Sequence, residues 1–185
     1  MTPEQFRQVL QTRATELERY AQMQFPQKAA NIALRFIDGN FRAGGYQGRS
    51  FTRWKQNKRK STTLVDSGAL RAATSYSLQT GQATIFNRMA YAKMHNEGFK
   101  GAVTVKSHDR FRHRGDTIRE SYTNRRGNAA TRTVRVQAKE TVRSHIRNMN
   151  IPQRQFMPKT GNDSPVLNKA IQREVNRDLL QILRS

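Results

Sequence analysis

Four histidines (His95, His108, His113 and His145) and 13 Asp or Glu residues hold whatever acid–base chemistry this 185-residue chain could run near neutral pH. Cysteine is absent, which removes thiol nucleophiles, thiolate zinc sites and disulfide scaffolds together. Asp66-Ser67 and His95 supply the residue types of a hydrolytic triad. The spacing argues otherwise, because Asp66-Ser67-Gly68 is turn and cap chemistry and Ser67 stands beside its Asp rather than across a base. No phosphate loop ending in Lys-Ser/Thr, no HExxH and no GxSxG occurs. A metal-dependent nuclease needs clustered carboxylates, and 13 acids dispersed among 34 bases offer none. His108 and His145 lie at matching places in a short repeat, but two imidazoles are too few ligands for a metal. No catalytic residue, metal site or cofactor is expected, and the chain reads as a non-enzyme.

What the chain has in excess is positive charge. The 34 Lys and Arg give a formal net charge of +21 and a pI near 11.5. Residues 41–63 carry seven basic and no acidic groups, and residues 99–150 carry thirteen basic and four acidic. Sixteen of the 21 charges therefore sit in two segments, a concentration that points to a polyanion or an acidic partner. Leu, Ile, Val and Phe total 36 of 185 residues and mean hydropathy is −0.86, at the margin of what an isolated chain can fold on. Either part of the chain is disordered alone, or neighbouring chains supply the missing burial. No apolar run approaches the roughly 18 residues of a membrane span. The opening Met1-Thr2-Pro3-Glu4-Gln5 has no basic stretch followed by an apolar one, so no signal peptide is expected.

The length suits one domain, residues 1–185, and its elements read in order. Thr2, Pro3 and Gln5 form a capping box that opens a helix whose stripe is Phe6, Val9, Leu10, Leu17 and Tyr20. Pro26 opens a second helix through Ala29, Ala33, Phe36 and Ile37, ending near Gly39. Residues 41–63 read as an irregular basic loop broken by Gly44, Gly45 and Gly48. Leu64–Ala73 suits a turn and a helix start capped by Asp66 or Ser67. Thr74–Leu78 and Ala83–Ile85 alternate around Thr80-Gly81 as a hairpin, and Met89–Gly98 is a short helix closed by Gly98. Val103-Val105 and Val134-Val136 read as strands flanking an Arg- and Asn-rich stretch, 109–132, with almost nothing to bury. Ser164-Pro165 starts a last helix whose Leu167, Ile171, Val175, Leu179 and Ile182 should dock on the sheet. The fold class expected is α+β: an antiparallel sheet packed with N-terminal and C-terminal helices, a basic loop at 41–63 and a long basic hairpin arm at 99–150.

One repeat stands out. Residues 104–110 read TVKSHDR and residues 141–147 read TVRSHIR, identical at five of seven positions. Two equivalent strand ends that pair, or sit equivalently in the sheet, would hold 109–132 between them as a projecting tip. On composition alone, 41–63 and 109–132 are too poor in apolar groups to order without neighbours.

Three blocks in order carry a resemblance. Leu64-Val65-Asp66-Ser67-Gly68-Ala69-Leu70 has the form L-x-D-[ST]-G-x-L, Tyr91-Ala92-Lys93-Met94-His95-Asn96-Glu97-Gly98 the form Y-A-x-x-H-x-x-G, and Ile151-Pro152-Gln153-Arg154-Gln155-Phe156 the form I-P-x-R-x-F. Trp54, inside the upstream basic loop, fits the same pattern. Together they resemble the phage virion morphogenesis family, the tail completion proteins of tailed bacteriophages, over about residues 50–160. The 52-residue stretch 99–150 departs from that family, being longer and more basic than its usual connection.

The resemblance implies a structural virion protein, assembled in the host cytoplasm and sited at the phage neck or tail end. It would form a homo-oligomeric ring of six or twelve copies, contact neighbouring neck, connector and tail tube proteins, and pass double-stranded DNA through its lumen without base readout. The other reading, from composition, is a sequence-independent RNA- or DNA-binding protein of ribosome-associated type. For either reading the candidate contacts are Arg53, Lys55, Lys58, Arg59 and Lys60 in the loop, and Lys106, Arg110, Arg112, Arg114, Arg125, Arg126 and Arg132 in the arm. Whether the arm faces DNA or an acidic protein stays open. The block residues have a physical reading too: Gly68 and Gly98 for positive φ, Pro152 to stop a strand, Arg154 to bind a carboxylate or carbonyls, and Phe156 as a packing anchor.

Overall fold

A computed structural model describes residues 2–57, 62–160 and 163–184, with backbone alone for 112–118 and 135–138. The α+β class holds, but the strands form four two-stranded ribbons rather than one sheet. Where length suggests one domain, the chain clusters as two units, residues 1–99 with 151–185, and residues 100–150.

The first unit begins with α1 (Pro3–Arg19), and its cap forms as the sequence predicts. Thr2 Oγ1 accepts from the Gln5 amide at 3.3 Å, and the Thr2 amide donates back to Gln5 Oε1 at 2.9 Å. A π-helical turn at Tyr20–Gln24 joins α1 to α2 (Phe25–Ala43). Pro26 is the physical cause, since it has no N–H to donate and its ring crowds the carbonyl four residues back. That carbonyl, on Gln22, instead accepts from the Gly81 amide at 2.9 Å. The expected end of α2 near Gly39 is corrected: the helix runs on to Ala43 and stops where Gly44 takes φ 66. Its buried residues Ala30, Ala33, Ile37 and Phe41 sit at helical spacing and continue past Gly39, so packing overrides the glycine's poor propensity.

The expected loop at 41–63 is also corrected. β1 (Gly45–Gln47) and β2 (Phe51–Arg53) pair antiparallel, and Tyr46 and Trp54 are buried. Gly45 is required because a Cβ there would lie 2.6 Å from the Thr52 carbonyl oxygen. Lys58, Arg59 and Lys60 lie outside the described residues. Next come the short helix α3 (Ala69–Ala72) and the hairpin β3 (Thr74–Gln79) and β4 (Gln82–Asn87), turned at Gly81 with φ 72 as expected. α4 (Ala92–Glu97) ends at Gly98, φ 80.

After the second unit the chain returns as an extended strap, 152–160, with no strand partner. Pro152 ends the preceding strand at Ile151, as expected. α5 (Pro165–Arg184) follows, with Ser164 Oγ accepting from the Leu167 amide at 3.2 Å. Its stripe faces inward, but onto α1 and α2 instead of a sheet. The anchor is polar: Asp178, 6% exposed, accepts from Tyr20 Oη at 2.9 Å and Lys28 Nζ at 2.6 Å. None of the described helices is long and apolar enough to cross a membrane.

The second unit is a ribbon. β5 (Phe99–Val105) pairs with β8 (His145–Ile151), and β6 (His108–Thr123) with β7 (Ala129–Val142). Residues 109–132, expected as a projecting tip too poor in apolar groups to order without neighbours, form paired strand around a short turn. The register places His108 opposite Val142 and Thr123 opposite Ala129, shifting between His113 and Thr117. Asn124 makes the turn, its Oδ1 accepting from the amides of Arg126 (2.9 Å) and Asn128 (3.0 Å). The repeat is two matched breaks in this ribbon. Lys106-Ser107 separates β5 from β6, and Arg143-Ser144 separates β7 from β8. In each, a histidine Nδ1 meets the carbonyl two residues back, His108 to Lys106 at 3.1 Å and His145 to Arg143 at 3.0 Å. Antiparallel strands place identical sequences about a local two-fold, which is why the repeat serves one structural event twice.

Candidate functional site

The three sequence blocks lie far apart in the chain and meet in the first unit. One side of the meeting place is core. Trp54, Leu70, Ala92 and Phe156 pack with Ile37 and Phe41, and Phe41 lies 5.1 Å from the Phe156 ring and 5.6 Å from the Trp54 ring. Leu64 lies against the same cluster. The strap is pinned there by side chains, since it has no strand to pair with. Asn96 Oδ1 accepts from both the Phe156 and Met157 amides at 2.9 Å, Trp54 Nε1 donates to Gln155 O at 2.7 Å, and Asn40 Nδ2 donates to Phe156 O at 3.1 Å. The Arg154 amide donates to His95 O at 2.7 Å, tying the second block to the third. A Cβ on Gly98 would come within 3.2 Å of the Gln153 amide nitrogen, so that glycine serves both a positive φ and a close approach.

The other side is a cavity of about 230 Å³ lined from all three blocks by Leu64, Asp66, Ser67, Gly68, Leu70, Tyr91, His95 and Arg154, with Asn57, Thr63 and Ala69. Leu64 enters it with φ 63, the one described non-glycine residue in the left-handed region, a conformation that persists only when surroundings enforce it. Gly68 takes φ 75 immediately before α3. The expected cap is corrected here: neither Asp66 nor Ser67 caps α3, and Ser67 Oγ only accepts from the Ala69 amide at 3.4 Å.

Two groups set the electrostatics. Arg154 is 9% exposed, donates Nε to Lys55 O at 2.9 Å, and enters no ion pair among the described residues. Burial pulls its pKa down. His95 stacks edge-on to Tyr91 at 5.8 Å, and its buried Nδ1 has no hydrogen-bond partner among the described residues. Burial, reinforced by the Arg154 charge, holds the imidazole below its ordinary pKa, so it is neutral at pH 7. Asp66, Ser67 and His95 do line one cavity, yet no hydrogen bond links Ser67 to His95, and no carboxylate orients the imidazole among the described residues. The arrangement presents a largely buried arginine beside hydrogen-bonding groups.

The basic candidates divide. Arg53 and Lys55 are exposed on and just after β2. In the arm, Arg110 pairs with Glu140 and Arg132 with Glu120, both at 3.1 Å across the ribbon, and Arg132 also lies over the Tyr122 ring. Lys106, Arg125 and Arg126 are exposed and form no ion pair among the described residues. Arg112 and Arg114 lie on β6, and their side chains are outside the description. Among the described residues, no three His, Asp or Glu side chains group to hold a metal.

Sequence reasoning missed Asn96 and the cluster at Asp178. Asn96 looks like an unspecified position within its block. Glu174 and Asp178 are legible as an i, i+4 acidic pair beside the apolar stripe of α5, with Lys28 reaching Glu174 at 3.9 Å. No family model, curated protein or solved structure matches the chain.

Proposed function

We propose that the chain is a structural virion protein of the phage head–tail junction, a tail completion, tail terminator or neck component. It works as a homo-oligomeric ring that joins tail to head around double-stranded DNA. The observation that carries this reading is the convergence of the three ordered blocks: residues recognised only as a linear pattern occupy one core and one cavity, as a shared fold signature must. Two further features support assembly with other chains. Phe6, Val9 and Leu10 on α1, and Leu180 and Leu183 on α5, are exposed. The second unit is a two-stranded ribbon without a buried side chain among those described, and isolated ribbons of that kind are marginal in water.

Light scattering on the size-separated protein tests the ring, with a closed multiple of the 21.3 kDa chain expected. The second reading, a sequence-independent nucleic-acid binder, is favoured by the exposed cations Arg125 and Arg126 at the arm's turn; a monomer that retains RNA or DNA would support it and count against the ring. Within the ring reading, neutralising Arg125, Arg126 and Arg132 together separates two roles for the arm. An arm in the lumen gives joined particles that retain or eject DNA abnormally. An arm clasping an acidic partner gives heads and tails that accumulate unjoined. Normal infectivity would exclude both.

A further inference from the structure

The cavity between the blocks has a property that the ring does not require. A largely buried arginine costs free energy unless a negative group meets it; Arg154 as a residue is 9% exposed and enters no ion pair among the described residues. One of its five N–H donors is used, on Lys55 O, and the other four have no partner among the described residues.

We propose that this cavity is a receptor for a carboxylate carried by an acidic protein segment, which pairs with the Arg154 guanidinium while Ser67 and His95 offer hydrogen bonds beside it. Two observations favour that occupant over a nucleic-acid phosphate. The cation lies in a concave site, which a side chain on an extended peptide can enter and the convex backbone of a duplex cannot. Asp66 lines the same cavity, opposing a second negative charge there, so a singly charged group fits better than a phosphate. The inference stands independently of the ring, needing only that the first unit fold.

Peptide titration tests it, read by calorimetry and by histidine NMR of the full-length protein. One probe is an acetylated, amidated peptide whose only carboxylates are the side chains of an internal Asp/Glu-rich stretch. A second carries Asn and Gln throughout with a free terminal carboxylate, and the third is inorganic phosphate. Binding of either carboxylate probe is expected, the two distinguishing a side chain from a chain terminus as the source. Arg154→Gln should weaken it about tenfold or more. That variant also gives up the hydrogen bond to Lys55 O, so Ser67→Glu provides the second arm. Ser67 is exposed, and a glutamate there places the chain's own carboxylate at the seat and should block binding, while Ser67→Gln should retain most of it. Bound carboxylate should raise the His95 pKa by offsetting the Arg154 charge. Absence of binding by both carboxylate probes would overturn the proposal. So would binding indifferent to Ser67→Glu and Arg154→Gln, or phosphate binding more tightly than either peptide.

Discussion

Residues 1–99 with 151–185 pack around a side-chain core, whereas residues 100–150 have no buried side chain among those described. In the first unit a strap without a strand partner is fixed by Asn96, Trp54 and Asn40, with Phe156 fully buried beneath it. In the second, thirteen residue pairs run along β6 and β7, and no described side chain is buried. Backbone hydrogen bonds exchanged with water contribute only about 0.5–1.5 kcal/mol each, against about 1–2 kcal/mol per residue of ordering entropy. Apolar burial is therefore confined to the first unit among the described residues, and a two-stranded ribbon without it is marginal in water. That division fits a protein whose core is a mounting and whose arm is a contact.

The largest test compares two phenylalanines. Phe156→Ala should destabilise the first unit by about 3–5 kcal/mol, since it empties a site packed by Phe41. Phe111→Ala, on an arm residue 66% exposed, should stay within about 0.5 kcal/mol. Urea unfolding followed by the single tryptophan, Trp54, reads the first unit directly. Equal effects from the two substitutions would dissolve the division.

Next comes a matched pair of asparagines. Asn96 and Asn124 each accept two backbone amides through Oδ1. Asn96→Ala leaves the Phe156 and Met157 amides without that partner beside the core, at about 1–3 kcal/mol. Asn124→Ala leaves two amides that water can reach, so the unfolding midpoint read at Trp54 should not move. A destabilisation by Asn124→Ala as large as by Asn96→Ala would show the arm to be coupled to the core.

How far the sequence reveals the two units follows from the same division. The Thr2 cap, the Gly81 turn and the Gly98 helix end are local chemistry and stand where the residues put them, whereas the cap expected from Asp66 or Ser67 does not form. Gly39 misplaces the end of α2 because it is a local signal, while Ile37, Asn40 and Phe41 are buried by distant partners, among them Phe156. The hairpin arm at 99–150 is legible from its Val-rich strand ends and the repeat, but strand through 109–132 is not, because cross-strand pairing satisfies backbone groups without apolar residues, and hydrophobic pattern is blind to it. In the cavity, Asp66, His95 and Arg154 are marked individually by the blocks. Their shared cavity, and the lack of an anion for Arg154 among the described residues, depend on the strap's path, and no spacing encodes that.

A smaller effect is expected at the arm's turn. If the arm meets nucleic acid through phosphates alone, Arg125→Ala with Arg126→Ala should weaken duplexes of any sequence alike. The slope of log affinity against log salt should fall by about 0.9 for each phosphate no longer neutralised. Arg53→Ala, on the first unit's exposed β2, should change that slope less. A sequence-dependent weakening would sink the phosphate reading, and an equal change from Arg53 would place the interaction on both units.

The smallest effect is a pH dependence confined to the first unit. His95 is held below its ordinary pKa by burial and then by the Arg154 charge, and the other group against it is the neutral Tyr91 ring. Its folded pKa therefore lies below its unfolded value of about 6.5, so between them the unfolded chain binds more protons. Stability contributed by the neutral imidazole is full above about pH 6.5 and is lost as pH falls below it. The depressed carboxylates do not confuse this window: the ion-paired Asp38 and Asp178, and Asp163 with its hydrogen bonds to Thr160 and Lys159, lose their contribution only as pH falls below the ordinary carboxylate range near 3.8. Between about pH 7 and pH 5, unfolding read at Trp54 should show a modest decline that His95→Gln abolishes. The arm histidines should not register, since Trp54 reports only on its own unit. A decline that survives in His95→Gln would show that another group sets the pH response, and would remove His95 from the electrostatics of the cavity.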